Sequence, residues 1–164
     1  MDKPTNFQKV MEFHKAFEQP APSEMQIDIA ETNKKLCDFR ISLIEEEFNE
    51  LKYAIKTNNF NEIRDAIADI LYVVYGTAVS MGIDADADFA IVHESNMSKL
   101  CDTEEDAKAT ILDYKFKIAE GSCPYKEPIY TYRADVGKFI VKDKPTGKVL
   151  KNIKYKKVNW NGNN

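Results

Sequence analysis

Two long amphipathic stretches with a short break between them constrain the fold of this chain most. In the first, apolar side chains from Leu36 to Ile55 recur at three- and four-residue spacings without an interior Gly or Pro, which predicts a helix over roughly residues 25–57, at least in the second half. Thr57-Asn58-Asn59 interrupts the pattern, and the second stretch then runs over residues 62–81 to Gly82, a typical C-terminal stop. The chain must therefore accommodate two long, adjacent helices.

Three shorter helices are predicted around this pair. One lies within residues 1–19, one begins at Asp84 and runs through Lys99, and one follows to about Glu120. Beyond Gly121 the pattern changes, because residues 129–132 and 138–142 are rich in β-prone side chains. We predict an all-α bundle of four to five helices over residues 1–120, followed by a small basic β-hairpin extension and tail over residues 121–164.

The composition is typical of a soluble domain. Of the 164 residues 43% are hydrophobic, and no apolar stretch approaches the roughly 20 residues that a membrane span needs. The N-terminal segment lacks an apolar signal region, and the three cysteines are an odd number without CxxC spacing. We therefore expect a cytoplasmic protein with no membrane partner and no structural zinc.

Charge is distributed unevenly along the chain. Residues 137–157 contain eight Lys and one Asp, whereas residues 1–136 carry a net charge of -11. An acidic body is a poor nucleic-acid binder, so we do not expect a nucleic-acid partner, and the acidic groups require another explanation, either solvation or a metal ion.

The first long helix contains four glutamates within residues 45–50, and the helical period separates them. Glu45 falls on a solvent-facing line and receives no role, whereas Glu46, Glu47 and Glu50 fall at the edge of the core-facing side. Three carboxylates of this helix are thus predicted to crowd beside its apolar stripe.

The second long helix carries its own acidic row. Asp69 lies in the very apolar segment 66–74, where most of the circumference is expected to be buried, and an ionised Asp is not buried without a partner. Asp65 precedes it by one turn, and Glu62 lies three residues before Asp65. We expect both helices to present carboxylates to the same interior.

Two interpretations of these acids are open. They are either ordinary surface acids paired with lysines, or ligands of divalent cations held between the two rows, which would relieve their mutual repulsion. Only oxygen ligands are available, so Mg²⁺ is the expected cofactor and Mn²⁺ the alternative.

A second polar group follows in the sequence segment 93–99. His93, Asn96 and Lys99 recur every three residues and so share a helix face, which is either a solvated face or a phosphate clamp. No GxxxxGK[ST] or GxGxxG loop is present, so a nucleotide would be held by metals and side chains.

These segments together resemble the all-α nucleoside triphosphate pyrophosphatases, the superfamily of MazG-like proteins, dimeric dUTPases and phosphoribosyl-ATP pyrophosphohydrolase. The resemblance rests on Glu46-Glu47-Phe48-Asn49-Glu50, on the segment from Asp65 to Gly76, on Val92 to Lys99, and on Phe13-His14-Lys15-Ala16-Phe17. It covers roughly residues 7–100.

The resemblance implies roles for individual residues. Glu47, Glu50 and Asp69 would bind Mg²⁺, while Glu46 would orient or deprotonate water. The glutamate of the family's ExxD motif falls on Ala66, so Asp65, or in reserve Glu62, must substitute. The candidates for substrate contacts are Asn96, Lys99, His93 and Arg40, the last of which lies on the same helix line as Glu47.

The predicted function is hydrolysis of a nucleoside triphosphate, such as dUTP or a non-standard dNTP, to the monophosphate and pyrophosphate. A homodimer or higher homo-oligomer formed through the apolar helices is expected. The alternative is a catalytically degenerate protein that lost activity with the missing glutamate and binds nucleic acid or a partner through its basic hairpin.

Overall fold

The computed structural model of the chain describes residues 3–160. Six helices precede two strands: α1 (Asn6–Ala16), α2 (Ile29–Thr32), α3 (Lys34–Lys56), α4 (Phe60–Met81), α5 (Ala85–Met97), α6 (Glu104–Ala119), β1 (Pro128–Arg133) and β2 (Lys138–Asp143). The predicted all-α fold with a small C-terminal hairpin is thus confirmed.

The long helices differ from the predicted ones at their N-termini. The stretch predicted as one helix over residues 25–57 is divided at Asn33, whose side chain accepts a hydrogen bond from the Leu36 amide and so begins a new helix. Asn59 caps α4 in the same way, and Gly82 ends that helix in the left-handed conformation that glycine adopts without strain.

The chain forms two units, with the boundary between Phe89 and Ala90, inside α5. The predicted boundary near residue 120 placed α6 with the other helices, but α6 packs instead on the hairpin. Its buried Ala107 and Tyr114 share a core with Val141 and Leu150, and helical periodicity cannot reveal such a long-range contact.

In the first unit, α4 packs against both α1 and α3. The core between α1 and α4 contains Phe7, Val10 and Val79, and α1 begins with a capping box formed by Thr5 and Gln8. These contacts fix the α3–α4 pair that carries the carboxylates.

The second unit is built on an antiparallel hairpin. β1 and β2 pair from Pro128 opposite Asp143 to Arg133 opposite Lys138, and a further bridge joins Lys142 to Val149. Asp143 is 1% exposed, and its Oδ1 accepts hydrogen bonds from the amides of Lys126 and Glu127. These bonds and one from Thr146 lower the pKa of Asp143 to about 2, so this buried acid is part of the fold.

None of the described helices alone is long and apolar enough to cross a bilayer. By length and composition only, α4 and α5 pass that test as a bent pair.

Candidate active site

The α3–α4 pair brings together five of the carboxylates predicted to form the site. Glu47 of α3 is half-buried, and burial is the main cause that raises the pKa of its carboxyl group. The further causes, in order, are the negative charges of Asp69, Glu50, Glu46 and Asp65, which come from both helices. Glu47 therefore lies at the centre of a cluster of like charges.

Glu62 lies at the end of the same helix pair. With Glu46 and Glu50 it lines a cavity of about 770 Å³, whose wall also includes Tyr53 and the polar residues before α4. Glu46 and Glu50 thus belong both to the carboxylates around Glu47 and to the cavity wall, and the cavity offers room for a ligand beside them.

The donor set suits a hard divalent cation, because every predicted ligand is a carboxylate oxygen. Among residues 3–160, however, no three His, Cys, Asp or Glu side chains converge closely enough to form a complete metal cage. Cation binding would therefore have to draw the carboxylates inward, against the repulsion that raises the pKa of Glu47.

Ala66 stands where the superfamily motif has glutamate, and its side chain is buried in the helix packing. Asp65, by contrast, is exposed and lies close enough to Glu47 to raise its pKa. The choice of Asp65 before Glu62 as the substitute ligand remains a prediction, and this proximity is the observation that supports it.

Asp69 is less buried than the apolar segment around it suggested. It is half-buried, while Ile67, Leu71, Tyr72 and Val74 are each between 42% and 53% exposed. The prediction that most of the circumference of α4 is buried over residues 66–74 is wrong for the single chain, because α1 and α3 cover only part of this helix.

Arg40, a predicted substrate contact, is buried with His14. The His14 Nδ1 lies 2.8 Å from the Pro20 carbonyl oxygen, so Nδ1 carries the proton, and Nε2 accepts a hydrogen bond from Arg40 Nη2 at 3.3 Å. Burial, and to a lesser extent the Arg40 charge, lower the pKa of His14.

Gly76 is what permits this buried pair. A Cβ atom at residue 76 would lie 3.1 Å from His14 Nε2 and 3.2 Å from Arg40 Nη1. The sequence alone does not predict this pair, although helical spacing places His14 in line with Phe7 and Val10 of α1. Arg40 thus holds α3 against α1 and α4, and a direct contact with substrate remains a prediction.

The other predicted substrate contacts belong to the second unit. Lys99 Nζ donates to Asn96 Oδ1 at 2.6 Å, so these two side chains do meet, while His93 is exposed. Whether this group faces the carboxylates of the first unit remains a prediction.

The C-terminal lysines are partly engaged within the second unit. Lys154 pairs with the mostly buried Asp106, and Lys138 pairs with Asp102. The ammonium groups of Lys148 and Lys151 lie over the rings of Tyr125 and Tyr155. Part of the positive charge of this segment therefore stabilises the unit itself.

Comparison with known proteins adds two findings. Residues 10–96, just over half of the chain, match the family described as phosphoribosyl-ATP pyrophosphohydrolase. The chain is also 45% identical over 85 residues to an uncharacterized protein of Acanthamoeba polyphaga mimivirus; the match covers 52% of this chain and 34% of that protein. The chain thus spans about a third of the length of that relative.

Proposed function

Because the chain belongs to the phosphoribosyl-ATP pyrophosphohydrolase family, we propose that it hydrolyses a nucleoside triphosphate between the α- and β-phosphates. Water adds to the α-phosphorus, the bond to the bridging oxygen breaks, and the products are the monophosphate and pyrophosphate. Family membership by itself indicates a pyrophosphohydrolase that acts on a nucleotide. The observation that carries the finer proposal is the cluster of like charges around Glu47, which is costly unless a cation neutralises it.

Glu47, Glu50 and Asp69, with Asp65 in place of the missing glutamate, would hold Mg²⁺ or Mn²⁺. When bound, such a cation neutralises phosphate charge and lowers the pKa of a coordinated water. Glu46 stands at the edge of this set, and it lines the neighbouring cavity together with Glu50 and Glu62. In our proposal Glu46 accepts the proton of the attacking water, and Glu62 is the reserve ligand.

The phosphates beyond the α-phosphate need donors, which carboxylates cannot supply. Lys99 and Asn96 are already joined by a hydrogen bond, so in our proposal they act together: the ammonium contributes charge and the amide a directed N–H. His93 is the further candidate on that helix face.

We also propose that the first unit forms a homodimer through its exposed apolar side chains. Ile41, Phe48 and Ile55 repeat every seven residues along α3, and Phe60, Ile67 and Val74 do the same along α4, each between 43% and 69% exposed. A seven-residue apolar repeat places side chains on one helix face and is typical of a helix–helix seam.

Light scattering after gel filtration tests the dimer. Phe48→Lys should convert the dimer to a monomer, whereas Phe116→Lys, at a 61% exposed position on α6, should leave the mass unchanged. A wild-type protein that is monomeric at micromolar concentration would contradict this proposal.

The activity is tested with a panel of nucleoside triphosphates that includes dUTP and non-standard dNTPs. The protein is incubated with each substrate and Mg²⁺, and pyrophosphate and orthophosphate are measured separately. We expect pyrophosphate with the matching monophosphate and no nucleoside diphosphate. Absence of turnover together with salt-sensitive retention on single-stranded DNA would favour the alternative of a degenerate nucleic-acid-binding protein.

A further inference from the structure

A small cavity between α1 and α4 has no part in the carboxylate cluster. It measures about 180 Å³ and is lined by Asn6, Lys9, Val10, Ala68, Leu71, Tyr72 and Tyr75. Its apolar walls and few polar groups are typical of a small-molecule site.

The two tyrosine rings of the cavity are held in place by their neighbours. Tyr72 makes an edge-on contact with Phe13, with ring centroids 5.6 Å apart at an interplanar angle of 85°. The Tyr75 hydroxyl donates to Asp86 Oδ1 at 2.8 Å. Rings fixed in this way lose little freedom when a flat ligand packs against them in the cavity.

The polar groups of the cavity favour a ligand that presents a hydrogen-bond acceptor. The Tyr75 hydroxyl proton is already committed to Asp86, and Asn6 is hydrogen-bonded to Tyr75. Lys9 bonds only weakly to Asn6 Oδ1, at 3.4 Å, and has no ion pair within residues 3–160. An ammonium group has three donors and no acceptor, so Lys9 matches a keto oxygen and opposes an exocyclic amine.

The cavity lies next to the proposed reaction centre along α4. Asp69 and Tyr72 are three residues apart, and so are Asp65 and Ala68, which places each pair on neighbouring parts of one helix face. The axial rise between the members of each pair is about 4.5 Å. A base in the cavity can therefore belong to a nucleotide whose phosphates reach the carboxylates.

We propose that this cavity binds the base of the substrate and selects a keto pyrimidine of the uracil or thymine class; this rests on the proposed function. A cavity of about 150 Å³ holds one benzene ring, so about 180 Å³ suits a six-membered ring with small substituents better than a purine. The Lys9 ammonium then distinguishes the keto oxygen at position 4 from the amine of cytosine.

The experiment has a binding arm and a turnover arm, with two variants and two matched controls. Ala68→Leu fills the cavity from an exposed position, and Lys9→Met removes the ammonium while keeping the length of the side chain. Ala119→Leu on α6 and Lys15→Met on α1 make the same changes at exposed positions outside the cavity.

In the binding arm, thymidine and deoxycytidine are titrated into ¹⁵N-labelled protein without metal. We expect thymidine to shift resonances of residues 68–75 and to bind at least tenfold more tightly than deoxycytidine. Ala68→Leu should abolish binding, and Lys9→Met should reduce the preference about tenfold, the usual effect of losing a charged hydrogen bond. Thymidine that binds both variants as it binds the controls would overturn the proposal.

In the turnover arm, kcat/KM is compared for dUTP, dCTP and dATP. We expect dUTP to be preferred by the wild type and the controls but not by Ala68→Leu. Turnover with an unchanged base preference in Ala68→Leu would overturn the base site and leave the proposed function standing. Selective thymidine binding without pyrophosphate release from any substrate would contradict the proposed function and leave the binding site standing.

Discussion

Gly76→Ala is a sharp test of the packing that supports the site, because two opposing effects can be weighed from the structure. Replacing Gly by Ala inside a helix stabilises the folded state by about 1 kcal/mol through helix propensity alone. Here the added Cβ would lie 3.1 Å from His14 Nε2 and 3.2 Å from Arg40 Nη1. Both partners are buried, and His14 is tied to Pro20, so neither can move away cheaply.

Forcing an extra methyl group into such packing costs about 1 to 3 kcal/mol, so we expect a net loss of about 1 kcal/mol in the free energy of unfolding. For a chain of this size that loss corresponds to a fall in Tm of about 2 to 4 °C. In the His14→Ala background the imidazole contact is gone and Arg40 can shift into the space it leaves, so the same Gly76→Ala change should become stabilising, by at most about 1 kcal/mol.

The assay is urea denaturation followed by circular dichroism for the wild type, both single variants and the double variant. If the effect of Gly76→Ala on the free energy of unfolding changes sign between the two backgrounds, crowding by His14 is separated from helix propensity. A Gly76→Ala protein that is more stable than the wild type would refute the reasoning, because the His14–Arg40 pair would then not be rigid.

Three further predictions concern the site and its surroundings. Asp65→Ala should lower turnover and raise the Mg²⁺ concentration needed for half-maximal rate more than Glu62→Ala does, and the reverse order in a Mg²⁺ titration would make Glu62 the substitute ligand. Lys99→Met should raise KM for the triphosphate with a smaller effect on kcat and weaken the salt dependence of KM, because it removes a charge that salt screens. Unchanged kinetics would show that this helix face is solvated and does not contact the phosphates. Because folding lowers the pKa of His14, the contribution of His14 to stability is complete above about pH 6.5 and is lost as the pH falls below it. The contribution of Asp143 is lost only between pH 3.8 and about 2. Urea midpoints measured against pH should therefore show the loss that begins below pH 6.5 in the wild type but not in His14→Gln.

Helical periodicity was sufficient to predict the two long helices that carry the carboxylates, although not the residues that cap their N-termini. Gly82 ends α4 as predicted, and Glu47 of α3 lies close enough to Asp65 and Asp69 of α4 for their charges to raise its pKa. The reason is local: the spacing of apolar side chains fixes which face of each helix is covered, and carboxylates beside that stripe must meet.

Contacts between distant segments could not be predicted in this way. The pairing of His14 with Arg40 and the packing of α6 on the hairpin depend on tertiary contacts that leave no periodic signal. The break at Asn33 was missed because the apolar repeat that predicted this helix begins only at Leu36 and carries no information about the segment before it. The cavity lined by Lys9 and Tyr72 was not predicted either, because it depends on the packing of α1 against α4.

The central claim is that the carboxylates between α3 and α4 carry the reaction, and one rate comparison tests it most directly. Pyrophosphate release from the preferred triphosphate is measured in saturating Mg²⁺ for the wild type, Asp69→Asn and Glu45→Gln. Asp69→Asn keeps nearly the same shape but removes one ligand charge, and Glu45 is an exposed acid of the same helix as Glu47 that was assigned no role. We expect the rate of Asp69→Asn to fall by at least about 100-fold, since loss of a metal ligand removes several kcal/mol of transition-state stabilisation, and that of Glu45→Gln to stay within twofold. An Asp69→Asn enzyme within a few-fold of the wild type, or an equal loss in both variants, would contradict the account.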